Sequence, residues 1–224
     1  MFSCCCAKAS WEWTPICGCP LNAKQCSMSC LLKESNFDRS YYNLAQTIYL
    51  AVKEWTPHAN IWMTGHSLGG ALASLVALTN DLPAFAYEAP GDLMYASRLG
   101  LLPDIPSAGR APDYTEFLSS LPIYHFGNSQ DPIYLGTCRG ISSSCYWFDY
   151  ALESQCHTGY ECMYEPTNRV KTKTPLFRAA FSNIKYHSID YVIKNYLENA
   201  TTVPACKIKV DCLAKECTEW EWMD

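Results

Sequence analysis

The residues Gly65-His66-Ser67-Leu68-Gly69-Gly70 place a serine between two glycines, each two positions away. They follow residues 60–64, a short apolar run that predicts a buried strand, and precede a helical segment at residues 71–78. Glycines there remove Cβ atoms that would clash in a sharp strand-to-helix turn, on which a serine hydroxyl is exposed above the sheet. The pattern predicts that Ser67 is a nucleophile and that the Leu68 N–H stabilises an oxyanion. A phosphate-binding loop would need a lysine, which this segment lacks.

A nucleophilic serine needs a histidine that takes its proton. Three histidines follow Ser67 in the chain, His125, His157 and His187. His125 lies inside a strand pattern, and His157 adjoins a cysteine in a segment expected to be cross-linked. His187 directly precedes the last predicted helix, in a loop that can reach the carboxyl edge of a sheet. We therefore predict that His187 is the base.

The histidine in turn needs a carboxylate that fixes its tautomer and stabilises the imidazolium. Asp131 follows the third predicted strand, where glycine and polar residues end the apolar run and a proline comes next. Glu88, Asp104 and Asp113 are alternatives, whereas Asp190 is expected on the surface of the last helix. We predict that Asp131 is the acid.

Short apolar runs and helical periodicities alternate along the chain, which indicates an α/β fold with a mostly parallel central sheet. The predicted elements are helices near residues 40–57, 71–78 and 189–197 and strands at residues 60–64, 84–87 and 123–126. No linker or repeat divides the sequence, so we expect a single domain over residues 1–224. Residues 138–162 are expected to form a cross-linked excursion from the sheet.

The 14 cysteines are an even number and predict disulfides, although their pairing does not follow from the sequence. A zinc site is the alternative, but no CxxC pair occurs and few histidines lie near the cysteines. Asn199-Ala200-Thr201 is a glycosylation sequon and makes Asn199 a candidate glycan site. Disulfides and a glycan both indicate an oxidising, lumenal compartment.

The composition excludes several classes of protein. The charge of −5 and the scattered lysines and arginines give no basic surface for nucleic acid, so no nucleic-acid partner is expected. No run of about 18 apolar residues that would span a bilayer is present. The first residues also lack a signal peptide. Because lumenal disulfides require entry into the secretory pathway, we expect that the natural protein has a further N-terminal part.

The segment Thr64-Gly65-His66-Ser67-Leu68-Gly69-Gly70-Ala71-Leu72-Ala73 is similar to the nucleophile segment of the class 3 lipases, and Asp131-Pro132-Ile133 and His187 match their acid and histidine in order and spacing. Further segments narrow the resemblance to the fungal autophagy-related vacuolar lipases, over essentially the whole chain. These segments are Phe2-Ser3-Cys4-Cys5-Cys6-Ala7, Trp11-x-Trp13-Thr14-Pro15-x-Cys17-x-Cys19, Glu88-Ala89-Pro90-Gly91, Gly136-Thr137-Cys138 and Glu153-Ser154-x-Cys156-His157.

This resemblance implies an α/β-hydrolase fold of the class 3 lipase type with its early strands missing. It also implies a serine carboxylic-ester hydrolase, a lipase and phospholipase that disintegrates autophagic bodies and multivesicular-body vesicles. Its partners would be lipid esters and the membrane surfaces of vesicles inside the vacuole, with no cofactor, no metal and no inferable protein partner. The family implies a lumenal vacuolar location, reached through the endoplasmic reticulum, Golgi and multivesicular bodies, with a single-pass type II membrane anchor.

The chain departs from the family pattern in one respect. Class 3 lipases carry an Arg-Gly-Ser/Thr segment upstream of the nucleophile, whose polar residue supplies a second oxyanion donor. This chain has Arg139-Gly140-Ile141, downstream of Ser67. A catalytically impaired lipid-binding fragment and a cysteine-rich structural module therefore remain as alternatives to an active hydrolase.

Overall fold

A computed structural model of the protein describes residues 2–9, 13–22, 24–38, 40–104, 113–137, 152–166, 184–198, 200–212 and 216–224. The strands in these residues are β1 (Ala7–Ala9), β2 (Trp13–Pro15), β3 (Pro20–Asn22), β4 (Gln25–Ser27), β5 (Met63–His66), β6 (Ala84–Tyr87), β7 (Ile123–Asn128), β8 (Tyr160–Tyr164), β9 (Cys206–Ile208) and β10 (Glu221–Met223). The helices are α1 (Met28–Ser35), α2 (Tyr41–Trp55), α3 (Leu68–Asn80), α4 (Leu93–Arg98), α5 (Thr115–Ser120) and α6 (Ile189–Val192), the last between a 3₁₀ turn at Ile184–His187 and a π-helical turn at Ile193–Leu197.

The central sheet has the strand order β5-β6-β7-β8-β9, in which β5 to β8 pair in parallel and β9 is antiparallel. This confirms the predicted α/β fold with a mostly parallel sheet. Strand β6 has the predicted bounds, and β7 extends two residues beyond them to Asn128. The strand predicted at residues 60–64 lies instead at Met63–His66, because the ladder begins where the Met63 N–H donates to Pro83 O.

Two helices support the sheet near the predicted nucleophile. Helix α2 begins after Ser40, whose hydroxyl accepts from the Asn43 N–H, and ends before Pro57 as predicted. Helix α3 begins at Leu68, earlier than the predicted residue 71, and buries most of its side chains against β5 and β6. No helix in the described residues has the length and apolarity needed to cross a bilayer.

Strands β8 and β9 were not predicted from the sequence. Strand β8 begins within residues 138–162, which were expected to leave the sheet, and it pairs instead with β7. Residues 138–151 lie outside the described residues. Along β8 a buried glutamate and a buried cysteine interrupt the apolar pattern that identifies the other strands. The last helix lies where it was predicted, but its hydrogen bonding changes from α to π at Ile193.

All twelve cysteines in the described residues form disulfides, as predicted. The pairs are Cys4–Cys217, Cys5–Cys26, Cys6–Cys17, Cys19–Cys30, Cys156–Cys212 and Cys162–Cys206. Cys138 and Cys145 lie outside the described residues. The bridge between Cys4 and Cys217 spans 213 positions and joins the two ends of the chain, whereas Cys162–Cys206 links β8 to β9.

A buried polar cluster lies between α3, β7 and the turn before β8. The Asp92 carboxylate accepts from Ser74 Oγ, from the Thr158 N–H at 2.7 Å and from Thr158 Oγ1 at 2.8 Å. His125 Nε2 lies 3.8 Å from the same carboxylate. Burial lowers the pKa of His125 to about 4, so this ring is neutral at pH 7. These contacts satisfy the buried carboxylate of Asp92 and the hydroxyls of Ser74 and Thr158, whereas His125 Nδ1 has no hydrogen-bond partner in the described residues.

We expect the bridge between the chain ends to stabilise the fold more than a short-range bridge does. A disulfide restricts the unfolded chain more when it closes a longer loop. Replacing Cys4 and Cys217 by serine should therefore lower the free energy of unfolding by about 5 kcal/mol, against about 3 kcal/mol for the matched Cys19/Cys30 double variant, whose cysteines are separated by 11 positions. Denaturant titration measures both values. Equal losses would contradict the expectation.

Candidate active site

Ser67 occupies the turn between β5 and α3 in a strained backbone conformation, with φ 58° and ψ −129°. Its N–H donates to Tyr87 O at 3.0 Å, and its own carbonyl accepts from the first turn of α3. A Cβ on Gly65 would lie 2.3 Å from Gly69 O, and one on Gly70 would lie 2.9 Å from Gly65 O. Gly69 itself faces open space, so the glycines that this turn requires are Gly65 and Gly70 rather than the symmetric pair expected from the sequence.

The structure brings together the three residues predicted to form the catalytic site. His187 Nε2 lies 2.7 Å from Ser67 Oγ, and His187 Nδ1 lies 2.8 Å from Asp131 Oδ2. The other oxygen of Asp131 accepts from the Ile133 N–H at 2.9 Å. Asp131 is fully buried, whereas the His187 side chain is 12% exposed, so substrate and water can reach the ring. This is the arrangement in which a serine is activated by a histidine that a carboxylate orients.

The alternative bases lie elsewhere in the fold. His157 is buried, with Nδ1 at 3.2 Å from Glu161 Oε1 and Nε2 at 3.0 Å from Ala89 O. Burial lowers the pKa of His157, but its hydrogen bond to Glu161 and the charge of that residue outweigh burial and raise it. Its ring lies 4.8 Å from that of His125. Both histidines therefore belong to a closed interior network rather than to a site that meets substrate.

The alternative acids are not beside the histidine ring. Asp104, Asp113 and Asp190 are exposed. Glu88 is buried behind Asp131 and accepts hydrogen bonds from Asn128. Asn199, the candidate glycan site, lies outside the described residues.

Two further contacts that position His187 were not foreseen from the sequence. His66 Nε2 donates to the His187 carbonyl at 2.8 Å, and the two rings lie 4.8 Å apart. Burial lowers the pKa of His66, so it is neutral beside a ring that must gain a proton. Asn128 Nδ2 donates to Tyr186 O at 2.9 Å, which holds the backbone just before His187. The adjacency of His66 to Ser67 in the sequence could have indicated the role of His66. Nothing in the sequence distinguishes Asn128 from other polar residues at strand ends.

A cavity of about 780 Å³ adjoins the serine and the histidine. Its lining is mostly apolar and comes from both the sheet region and the cysteine-rich N-terminal segment. The apolar lining includes Phe2, Ile16, Leu31, Phe37, Tyr41, Leu68, Pro90, Ile133, Leu152 and Ile184. Leu68, the predicted oxyanion donor, is the first residue of α3 and lines this cavity beside Ser67. The geometry can therefore present an apolar substrate to a nucleophilic hydroxyl.

Two groups of side chains in the described residues have the spacing of metal ligands. One is Cys6, Cys17 and Cys19, and the other is Cys156, Cys212 and Glu216. Every cysteine in both groups is in a disulfide, and a disulfide sulfur is not the thiolate that zinc binds. We therefore assign no metal to these groups.

Comparison with known proteins identifies the class. Residues 15–81 match the sequence profile of the class 3 lipases. The whole chain is 40% identical over 223 residues to a protein of Vanderwaltozyma polyspora, 39% to one of Eremothecium gossypii and 40% to one of Saccharomyces cerevisiae. The chain is therefore similar to the class 3 lipases, and its mostly parallel sheet with helices is that of the α/β-hydrolase fold. Each of these relatives is named putative lipase ATG15, and the chain spans 36% to 39% of their length.

We expect the carboxylate of Asp131 to be essential for the reactivity of Ser67. Asp131→Asn removes the acceptor that fixes the His187 tautomer and should slow labelling of Ser67 by a fluorophosphonate about 10³–10⁴-fold. Asp190→Asn is the matched control, because Asp190 is exposed three residues after His187. Labelling of the control should equal that of the wild type. A rate for Asp131→Asn within tenfold of the wild type would contradict the assignment.

Proposed function

We propose that the protein hydrolyses lipid carboxylic esters with Ser67 as nucleophile. The observation that carries this proposal is the hydrogen-bonded series of Ser67, His187 and Asp131 beside an apolar cavity of about 780 Å³. The match of residues 15–81 to the class 3 lipases supports the same reaction class. The substrates named below are part of the same proposal.

The reaction proceeds by acyl transfer to the serine. Ser67 Oγ attacks the ester carbonyl while His187 Nε2 takes its proton, and the ionised Asp131 stabilises the imidazolium. The Leu68 N–H donates to the oxyanion of the tetrahedral intermediate. His187 then gives the proton to the leaving alcohol oxygen, which leaves an acyl-serine. Water, deprotonated by His187, attacks the acyl carbon, and the fatty acid is released as the bond to Ser67 Oγ breaks and His187 returns the proton to that oxygen.

The cavity supports a substrate with a long acyl chain. Burying a methylene group contributes about 0.8 kcal/mol. The apolar residues that surround Ser67 and His187 offer this gain to a fatty acyl chain but not to a short or polar acyl group. Triacylglycerol and phospholipid share this acyl chemistry, and both are proposed as substrates.

We also propose that the protein acts at the membrane surfaces of vesicles inside the vacuole, including autophagic bodies and multivesicular-body vesicles. Ile16, Phe37 and Tyr41 line the cavity although each is more than half exposed, so they form an apolar rim around its entrance. An apolar rim is suited to a lipid surface. The relatives' name, putative lipase ATG15, supports a role in autophagy. The disulfides support a lumenal location, reached through the endoplasmic reticulum and Golgi. A type II membrane anchor and a glycan on Asn199 belong to the same proposal.

The proposed activity is tested with the full natural chain made in a secretory pathway. On soluble 4-nitrophenyl esters, kcat/KM should rise about fourfold for each added methylene until the cavity is filled, because each methylene is buried. Ser67→Ala should abolish turnover and fluorophosphonate labelling without unfolding the protein. A value of kcat/KM that does not change with chain length would contradict an acyl-binding cavity. Turnover by Ser67→Ala would contradict the nucleophile, whereas a wild type that neither hydrolyses ester nor labels would favour a lipid-binding module.

The apolar rim generates a separate prediction. Phe37→Asp places a charge at the cavity entrance and should lower hydrolysis of phospholipid vesicles at least tenfold while leaving a soluble short-chain ester unaffected. Leu50→Asp is the matched control, because Leu50 is similarly exposed but does not line the cavity. Equal effects of the two variants on vesicle hydrolysis would show that the rim is not where the protein meets lipid.

A further inference from the structure

Glu88 is a buried carboxyl group that the proposed mechanism does not use. It follows strand β6, is 1% exposed and has a left-handed backbone with φ 47°. Its two oxygens accept from the backbone N–H of Asn128 at 3.1 Å and from Asn128 Nδ2 at 2.9 Å. A buried glutamate in a backbone conformation that side chains disfavour needs a specific compensation, because each feature costs free energy.

Asn128 connects this glutamate to both residues that orient the nucleophile. Its Nδ2 also donates to Tyr186 O at 2.9 Å, immediately before His187. Its carbonyl accepts from the Asp131 N–H at 3.1 Å, which closes the turn that carries the triad carboxylate. A displacement of the Glu88 carboxyl would therefore reach the His187 loop through one amide group.

The carboxyl of Glu88 is also within hydrogen-bonding reach of that of Asp131. Two buried carboxyls in contact do not both ionise. The oxygens of Asp131 accept from His187 Nδ1 and from the Ile133 N–H. Burial, together with the charge and hydrogen bond of Asp131, raises the pKa of Glu88 to about 10. The shared proton therefore belongs to Glu88.

We propose that Glu88 is a positioning residue of the active site: as a neutral acid it donates a hydrogen bond to Asp131, and through Asn128 it fixes the loop that carries His187. The effect of Glu88 on turnover rests on the proposed ester hydrolysis. This hydrogen bond holds the Asp131 carboxyl in the position from which it accepts from His187 Nδ1.

The protonation state of Glu88 can be read without any activity. The other titratable groups whose charges act on Glu88 or feel its charge are Asp131, Tyr134 and Tyr196. Above its ordinary pKa of 4.5 the unfolded chain releases the Glu88 proton, whereas the folded protein retains it up to about pH 10. The stability contributed by this proton is therefore complete below pH 4.5 and is lost as the pH rises.

The first test compares the unfolding equilibria of the wild type and Glu88→Gln in the full natural chain. The folding constant of the wild type should fall relative to Glu88→Gln by about tenfold per pH unit, or about a hundredfold from pH 5 to pH 7. Glu165→Gln is the control, since Glu165 is exposed and accepts from Ser129, and it should show no such change. A ratio for Glu88→Gln that is constant from pH 5 to pH 7 would show that Glu88 is ionised and would overturn the proposal.

The second test measures turnover per mole of fluorophosphonate-labelled serine. Glu88→Gln keeps a donor for Asp131 and one of the two oxygens that accept from Asn128, so its kcat should stay within about threefold of the wild type. Glu88→Ala should lose at least tenfold in kcat, and the acid limb of its pH profile should move to higher pH, because an undivided charge on Asp131 favours the His187 imidazolium.

A Glu88→Gln variant as impaired as Glu88→Ala, or a Glu88→Ala variant with the wild-type rate and pH profile, would overturn the positioning role. Turnover that survives in Ser67→Ala would instead contradict the proposed function. In that case the dependence of stability on pH still decides the state of Glu88, so the two failures are distinguishable.

Discussion

The parallel pairing of β5, β6 and β7 is the constraint on which the site depends. Its register places His66 beside Tyr87 and Tyr87 beside Phe126, so the three strands end at one edge of the sheet. Ser67 follows the first strand directly and Glu88 the second. Asp131 follows the third after a short turn that Asn128 closes. The Ser67 N–H extends the ladder by donating to Tyr87 O, so the strained turn is anchored to the neighbouring strand rather than to a flexible loop.

Burial separates the histidine that can do chemistry from those that cannot. His125 with Asp92 and His157 with Glu161 are both histidine–carboxylate pairs, as is His187 with Asp131. The first two pairs are enclosed on all sides, and their polar atoms satisfy backbone groups and the hydroxyls of Ser74 and Thr158. In the third pair only the carboxylate is fully buried, and the ring meets the cavity. Pairing with a carboxylate is therefore not sufficient to identify a catalytic base. The histidine must also lie within reach of a nucleophile.

The features that the sequence predicts are those that local chemistry determines. The apolar run of β6 has no competing interpretation. The order of Ser67, Asp131 and His187 along the chain predicted which three side chains come together. Strand β8 was missed because its identity depends on pairing with β7 and on the Cys162–Cys206 bridge, which no local pattern reports. The roles of Gly70 and Asn128 were missed for the same reason, since each depends on a contact with another part of the fold.

The disulfides link the proposed chemistry to the compartment in which the protein would work. One wall of the cavity is the N-terminal segment with Cys6, Ile16 and Cys17, which packs through sulfur and few apolar side chains rather than through a large core of its own. The guanidinium of Arg98, itself buried beside the cavity, donates to the carbonyls of Ser3 and Cys4 and holds this wall against α4. Reduction would free the segment from Cys26, Cys30 and Cys217 while leaving the triad contacts of the sheet intact. The Ser67 hydroxyl would then remain beside His187, but the apolar wall proposed to bind an acyl chain would be lost. The proposed specificity therefore depends on the disulfides, which an oxidising compartment maintains.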